Sequence, residues 1–179
     1  LQRGWLGQFQ QDPFGASVLE TALAGRHPHL GRWDWESAAD AAKVREALSL
    51  LGLAGMEQRQ VHTLSGGERQ RLALATLLVQ APGVYLLDEP LSHLDLNHQM
   101  AVLRLFSQLA HTQGAAVVMV LHEPALAHRF CDRALLIHGD GRCIQGTADE
   151  TLTAAQLSEL YAYRLRQISD GDQRCFIPE

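Results

Sequence analysis

The chain is nearly empty of lysine. Of its 15 basic residues only Lys43 is a lysine, and no glycine-rich loop precedes it. A phosphate cradle ending in Gly-Lys-Ser or Gly-Lys-Thr, whose backbone amides and lysine hold the phosphates, is therefore excluded within these 179 residues. Cysteine is scarce too: Cys131, Cys143 and Cys175 are an odd set with no Cys-x-x-Cys spacing, which argues against a disulfide framework or a zinc site and fits a reducing cytosol. Long hydrophobic runs are missing. The longest, such as "LALATLLV" and "AAVVMVL", fall short of the ~20 residues that span a bilayer, and no secretory signal opens the chain. Excess basic charge is missing as well: a net charge of -5 with scattered arginines gives no footprint for nucleic acid. The first residue is Leu1 rather than methionine, which predicts that the beginning of a longer protein has been removed.

What is present suits one globular domain, since 46% apolar residues in a chain of this length can fill a core. The start, "GWLGQ", reads as the end of a strand. "SVLETALAG" predicts two helical turns stopped by glycine. "ESAADAAKVREALSLLGL" places Ala42, Val44, Leu48 and Leu51 near helical spacing. The segment before residue 65 is expected to form a separate helical layer. A long helix then runs from Ser65 to a stop at Pro82, followed by the apolar strand "GVYLLDE", a helix over "NHQMAVLRLFSQLAHTQG", the strand "AAVVMVLHE" and the short helix "PALAHRFC". "RALLIHGDGRCIQG" reads as a hairpin around Asp-Gly. Apolar strands alternating with helices predict an α/β fold with a parallel sheet covered on both faces.

Three places carry chemistry. Ser65 and Glu68 in "LSGGE" form a capping box, which is an ordinary way to begin a helix. Gly66 and Gly67 also leave the amides of that helix start bare, and the partial positive charge there suits a phosphate. Asp88 and Glu89 end an apolar strand, where ligands of open parallel sheets bind. Adjacent carboxylates there need a counter-charge or a proton; magnesium on Asp88 and a water activated by Glu89 would supply both. The bland alternative is one capping and one solvated carboxylate. A second strand ends at His122, and a lone histidine there is usually a packing or capping residue. "HPH" at 27–29 lacks partners at ligand spacing, so a metal site there is set aside.

Together, "LSGGERQRLALATLLVQAPGVYLLDEPLSHLD" resembles the ATP-binding-cassette ATPases. Leu64, Ser65, Gly66, Gly67 and Glu68 match the family signature, Val84 to Glu89 the Walker B strand, and Ser92 to Asp95 the D-loop. His122 falls at the switch histidine and Gln8 at the Q-loop glutamine. The resemblance implies a P-loop NTPase-like partial parallel sheet with flanking helices plus a helical signature subdomain, its N-terminal portion with Walker A absent. Residues 1–8 would be the end of a core strand and the Q-loop, 9–83 the helical subdomain and signature helix, and 84–179 the rest of the ATPase core with the C-terminal tail. "VLETALAGRHPH", "SHLDLNHQ" and "GTADETLTAAQLSELY" look most like subunits that power importers of iron-siderophores, haem or cobalamin.

The family pattern implies ATP and magnesium as cofactors and a head-to-tail homodimer, in which Leu64 to Glu68 contact an ATP held by the partner subunit. Glu89 would polarise the attacking water, His122 would hold the γ-phosphate, Gln8 and Asp88 would serve magnesium, and Ser92 and Asp95 would organise the contact between protomers. Transmembrane permease subunits and, indirectly, a substrate-binding protein would be the partners, placing the chain in the cytoplasm on the inner face of the membrane. No nucleic acid is expected. Alone, the chain would be inactive. After the switch histidine the family usually has Asp, whereas Glu123 and Pro124 stand here; a carboxylate is kept, and proline suits a first helical turn. The alternative is a naturally truncated, non-catalytic regulatory protein. DNA-repair relatives would carry long heptad arms and translation factors two cassettes, and neither is seen.

Overall fold

The computed structural model describes residues 3–7, 15–171 and 173–179, in two compact units, Leu1–Val120 and Leu121–Glu179. In the first unit β1 (Arg3–Leu6), β2 (Val84–Asp88) and β3 (Ala116–Val120) form a parallel sheet in that order. Trp5, Leu86 and Val118 share one row of the register. The crossover from β1 to β2 carries α1 (Val18–Leu23), a 3-10 turn (Ala24–His29), α2 (Ala38–Leu50) and α3 (Gly66–Gln80); α4 (Leu96–Gln113) joins β2 to β3.

Local sequence sets the helix starts. Ser17, Ser37 and Ser65 each accept from the backbone amide three residues on, and the acidic residue there closes a capping box. The third helix ends at Ala81 in the left-handed conformation, just before Pro82. Its residues Leu72, Ala73, Leu74, Ala75, Leu77 and Val79 are all buried, because α1 and α2 pack on it as well as β1. One core therefore joins Val18, Val44 and Leu48 of the early helices to Leu74 of α3 and to Leu6, Leu87 and Phe106 around the sheet. The expected separate helical layer is part of this core. Tyr85 meets Phe106 edge to face, with ring centroids 5.4 Å apart.

Three expectations are corrected. Gly25 does not stop the first helix; the chain tightens through it into the 3-10 turn, and glycine is needed because a Cβ would collide with the Thr76 carbonyl oxygen. Ala42 is exposed, and Asp40 takes a buried position on α2 because Arg26 bonds its carboxylate at 2.8 Å. Arg26 also donates to the Val79 carbonyl at 3.1 Å, tying the 3-10 turn to α2 and α3. Last, within the first unit the described helices cover one face of the sheet. Leu6, Tyr85 and Leu87 are buried, whereas Trp5 and Val118 on the opposite face are 66% and 58% exposed.

The second unit contains α5 (Pro124–Phe130), β4 (Arg133–Ile137), β5 (Cys143–Thr147), α6 (Ala148–Thr151), α7 (Ala154–Tyr161), β6 (Leu165–Asp170) and β7 (Gln173–Pro178). The predicted hairpin is β4–β5, with Gly141 supplying a positive φ of 86°. The antiparallel pair β6–β7 lies where the sequence reading placed no strand. It is tied down by Arg174 on Asp149 at 2.6 Å, and Asp149 also meets His128 at 2.9 Å.

Candidate functional site

Two segments of the first unit meet: the start of α3, at 64–71, and the turn from Asp88 to Asp95 that links β2 to α4. Leu64 is buried and anchors the start of α3. Ser65 is its N-cap: Ser65 Oγ accepts from the Glu68 amide at 3.3 Å, and the Ser65 amide donates to Glu68 Oε2 at 2.7 Å. The capping box uses the amides of Ser65 and Glu68 and leaves those of Gly66 and Gly67 outside it. The capping reading of "SGGE" is therefore observed at this helix start. The Ser65 amide, helped by the Ser65 hydroxyl and by Arg59 3.2 Å away, holds the Glu68 carboxyl below its usual range against some burial. Arg59 also donates to the Thr63 carbonyl, so the loop before the signature is braced.

On the facing segment, β2 delivers a half-buried Asp88 at its carboxyl end. Glu89 follows with φ of 48° and His93 with φ of 64°, a backbone region that costs a non-glycine residue ~1–3 kcal/mol and persists only where its surroundings fix it. Ser92 is such a support. Its amide donates to the Glu89 carbonyl at 3.2 Å and its hydroxyl to Glu89 Oε2, also at 3.2 Å. Asp95 caps α4, accepting from both the amide and Nδ1 of His98 at 2.9 Å. The His98 amide, then the imidazole, hold its carboxyl below the usual range.

The two segments touch at backbone level. A Cβ on Gly67 would lie 2.7 Å from the His93 carbonyl oxygen, whereas one on Gly66 would make ordinary contact with the His93 ring at 3.5 Å. Gln70, one turn further, donates to the Glu89 carbonyl at 3.3 Å. Arg71 donates to the carbonyls of Gly67, Leu51 and Gly52 at 3.3, 3.0 and 3.0 Å, clamping the end of α2 to α3. The sequence reading passed over Gln70, Arg71 and His93. The signal available for Gln70 and Arg71 was their polarity at the head of an otherwise apolar helix, three and four residues after Gly67 and so on its face.

The structure brings Gly66 and Gly67 against His93 and Gln70 against Glu89, in the turn that runs from Asp88 through Ser92 to Asp95. Gln8 lies outside the described residues. His122 belongs to the second unit, exposed, ahead of Glu123 at the N-cap of α5 and Pro124 in its first turn. For magnesium the donor chemistry fits: it is held by one or two carboxylates with phosphate oxygens and water, and Asp88 offers such a carboxylate. Among the described residues no group of three or more acidic, histidine or cysteine side chains forms a metal cage, and a phosphate-shared ion needs none.

The ABC transporter family profile matches residues 2–92, about half the chain, including the signature, the β2 carboxylates and Ser92. The chain belongs to the ABC transporter family. It is similar to the petrobactin import ATP-binding protein FpuD of Bacillus anthracis, 36% identical over 163 residues that cover 89% of this chain and 59% of that protein. This ABC family chain thus spans well under two thirds of that relative's length. Among solved structures, a metal-chelate type ABC transporter in an inward-facing conformation superposes with a TM-score of 0.86 at 30% identity, covering 99% of this chain and 72% of that one. The dimeric bacterial ABC transporter cassette MJ0796 gives 0.67 at 26% identity, over 75% of this chain and 57% of that one. The α/β fold with a parallel sheet and flanking helices is the fold of these cassettes.

Proposed function

We propose that this chain is the signature-bearing part of the ATP-hydrolysing subunit of an ABC importer, working on an ATP whose phosphates are cradled by a second copy of the subunit. The observation that carries this is an incomplete site. Ser65, Gly66 and Gly67 present a helix start whose segment touches the Glu89–His93 turn, yet these 179 residues include no lysine-bearing phosphate loop. A head-to-tail dimer completes it, and the dimeric cassette MJ0796 resembles this chain. In that dimer Ser65 and the amides of Gly66 and Gly67 bind the γ-phosphate, Glu68 and Arg59 fix the loop that presents them, and Leu64 anchors it. At the other nucleotide, Glu89 polarises the attacking water and His122 holds the γ-phosphate; Ser92 orients Glu89, and Asp95 stands where the protomers meet. Asp88 and Gln8 hold magnesium, which supplies charge neutralisation on the phosphates when bound. Catalysis is then positioning and electrostatic stabilisation.

The imported substrate is a metal chelate such as an iron-siderophore, haem or cobalamin, a reading supported by the petrobactin and metal-chelate relatives. The partners are transmembrane permease subunits and, through them, a substrate-binding protein, so the chain works in the cytoplasm against the inner face of the membrane. Exposed Trp33 and Trp35, at 84% and 87%, with a cleft of about 340 Å³ between 27 and 36, suit a docking surface for the permease. No helix among the described residues is long and apolar enough to cross a membrane itself. Alone, these residues lack the cradle that supplies most phosphate contacts and do not turn over ATP. In the complete subunit Glu89→Gln is expected to slow hydrolysis by ~10²–10⁴-fold with nucleotide binding retained; unchanged turnover would remove Glu89 from the base role.

A further inference from the structure

Gly67 and Gln70 lie three residues apart on one face of α3, and each meets the turn that carries Glu89. Gly67 packs its Cα against the His93 carbonyl, where a Cβ would come within 2.7 Å of the oxygen. Gln70 reaches the other end of the same turn, its Nε2 3.3 Å from the Glu89 carbonyl oxygen in a half-buried position. That oxygen already accepts from the Ser92 amide at 3.2 Å. The second donor is therefore not needed to avoid a stranded carbonyl. What it adds is a fixed direction for the Glu89 peptide plane, in a residue whose φ of 48° is held only by its surroundings.

We propose that Gln70 is a positioning residue for Glu89, and that through it the helix whose first turn binds one ATP sets the orientation of the base that serves the other. This rests on the reading of Glu89 as the base and of Ser65 to Gly67 as acting in trans. In the dimer each subunit contributes its α3 start to one nucleotide and its Glu89 to the other. A displacement of α3 on closing over the first phosphate shifts the Gly67–His93 and Gln70–Glu89 contacts together, since both lie within two turns of a rigid helix. Gln70 is thus a link between the two hydrolysis sites within a single chain.

The test uses the complete subunit with Gln70→Met, which keeps length and shape and removes the donor, and Gln70→Glu, which turns an acceptor toward the carbonyl. The expected result is a kcat lowered by roughly 10- to 100-fold, more in Gln70→Glu than in Gln70→Met, with KM for ATP and the melting temperature of Gln70→Met close to wild type. In a Glu89→Gln background, adding Gln70→Met should bring no further loss in single-turnover hydrolysis, because the residue acts through the base. Wild-type kcat in both Gln70 variants, a rise in KM without a fall in kcat, or losses that multiply with Glu89→Gln would each overturn the proposal. If Glu89→Gln itself keeps full turnover, the underlying assignment of the base fails instead, so the two failures are told apart.

Discussion

Gly67 on the first turn of α3 lies against His93 so closely that a methyl group on its Cα would sit 2.7 Å from the His93 carbonyl oxygen, while its neighbour Gly66 has 3.5 Å of room. The two glycines of the signature are therefore there for different reasons. Gly67 lets two backbone segments touch; Gly66 keeps the helix start open. Gly67→Ala should cost ~1–3 kcal/mol of stability through overpacking against backbone. Gly66→Ala should leave the melting temperature unchanged or slightly raised while lowering ATPase activity in the complete subunit. Thermal melts beside turnover assays check this, and equal destabilisation by both substitutions would contradict it.

Arg26 holds Asp40 and the Val79 carbonyl in the interior of the helical layer. Arg26→Met removes the Arg26 donor from the Val79 carbonyl and leaves the Asp40 carboxylate with its Ser37 cap alone, and the expected effect is a melting temperature lower by roughly 5–10 °C. The double variant Arg26→Met with Asp40→Asn, which removes the charge and keeps an acceptor for the Ser37 cap, should recover part of it. A melt of Arg26→Met that overlays wild type would show that the pair contributes nothing.

Glu20, Asp40, Glu68 and Asp95 all close helix starts and all have their carboxyls held below the ordinary values of 4.5 for Glu and 3.8 for Asp. For Glu20, Asp40 and Glu68 the main cause is bonding from the capping serine, and for Asp95 the His98 amide. A depressed folded value means stability that is fully present above the unfolded value and is lost as pH falls through the folded one. Stability measured by denaturant titration should change little through these four groups between about pH 5 and 7 and fall steadily below about pH 4. Substituting Glu68→Gln, which removes the titrating carboxyl, should flatten part of that fall.

Trp5, Leu86 and Val118 share one row of the sheet, and Trp5 and Val118 on it are exposed. Parallel sheets are normally covered on both faces, so the isolated chain should self-associate and bind a hydrophobic dye. Trp5→Ser with Val118→Thr should reduce both while leaving the circular dichroism unchanged. A concentration-independent monomer in sedimentation, with no dye binding, would contradict this.

Much of the site was legible because it is written in local rules. Ser65 and Glu68 specify a cap from spacing alone, the apolar run into Asp88 specifies a strand end, and Asp-Gly at 140–141 specifies a hairpin. What could not be read was set by tertiary contact. Nothing local tells that Glu89 and His93 take positive φ, that Gly25 serves a close approach to Thr76 rather than a stop, or that Asp40 is worth burying; each depends on a partner tens of residues away or on the turn's packing. The β6–β7 hairpin was missed for another reason. Its strands are mostly exposed, with Leu165 and Phe176 the residues that pack on the second unit's core, so the period-2 signal is weak, although Asp170-Gly171 carries the same Asp-Gly signal as 140–141.

The most direct test of the trans arrangement is a structure of the complete subunit carrying Glu89→Gln, trapped with ATP and magnesium. The account predicts Ser65 Oγ at about 3 Å from a γ-phosphate oxygen of the nucleotide cradled by the other protomer, with residue 89 of that other protomer beside the same phosphate. A γ-phosphate contacted by Ser65 and residue 89 of one and the same protomer, or by no signature residue at all, would contradict it.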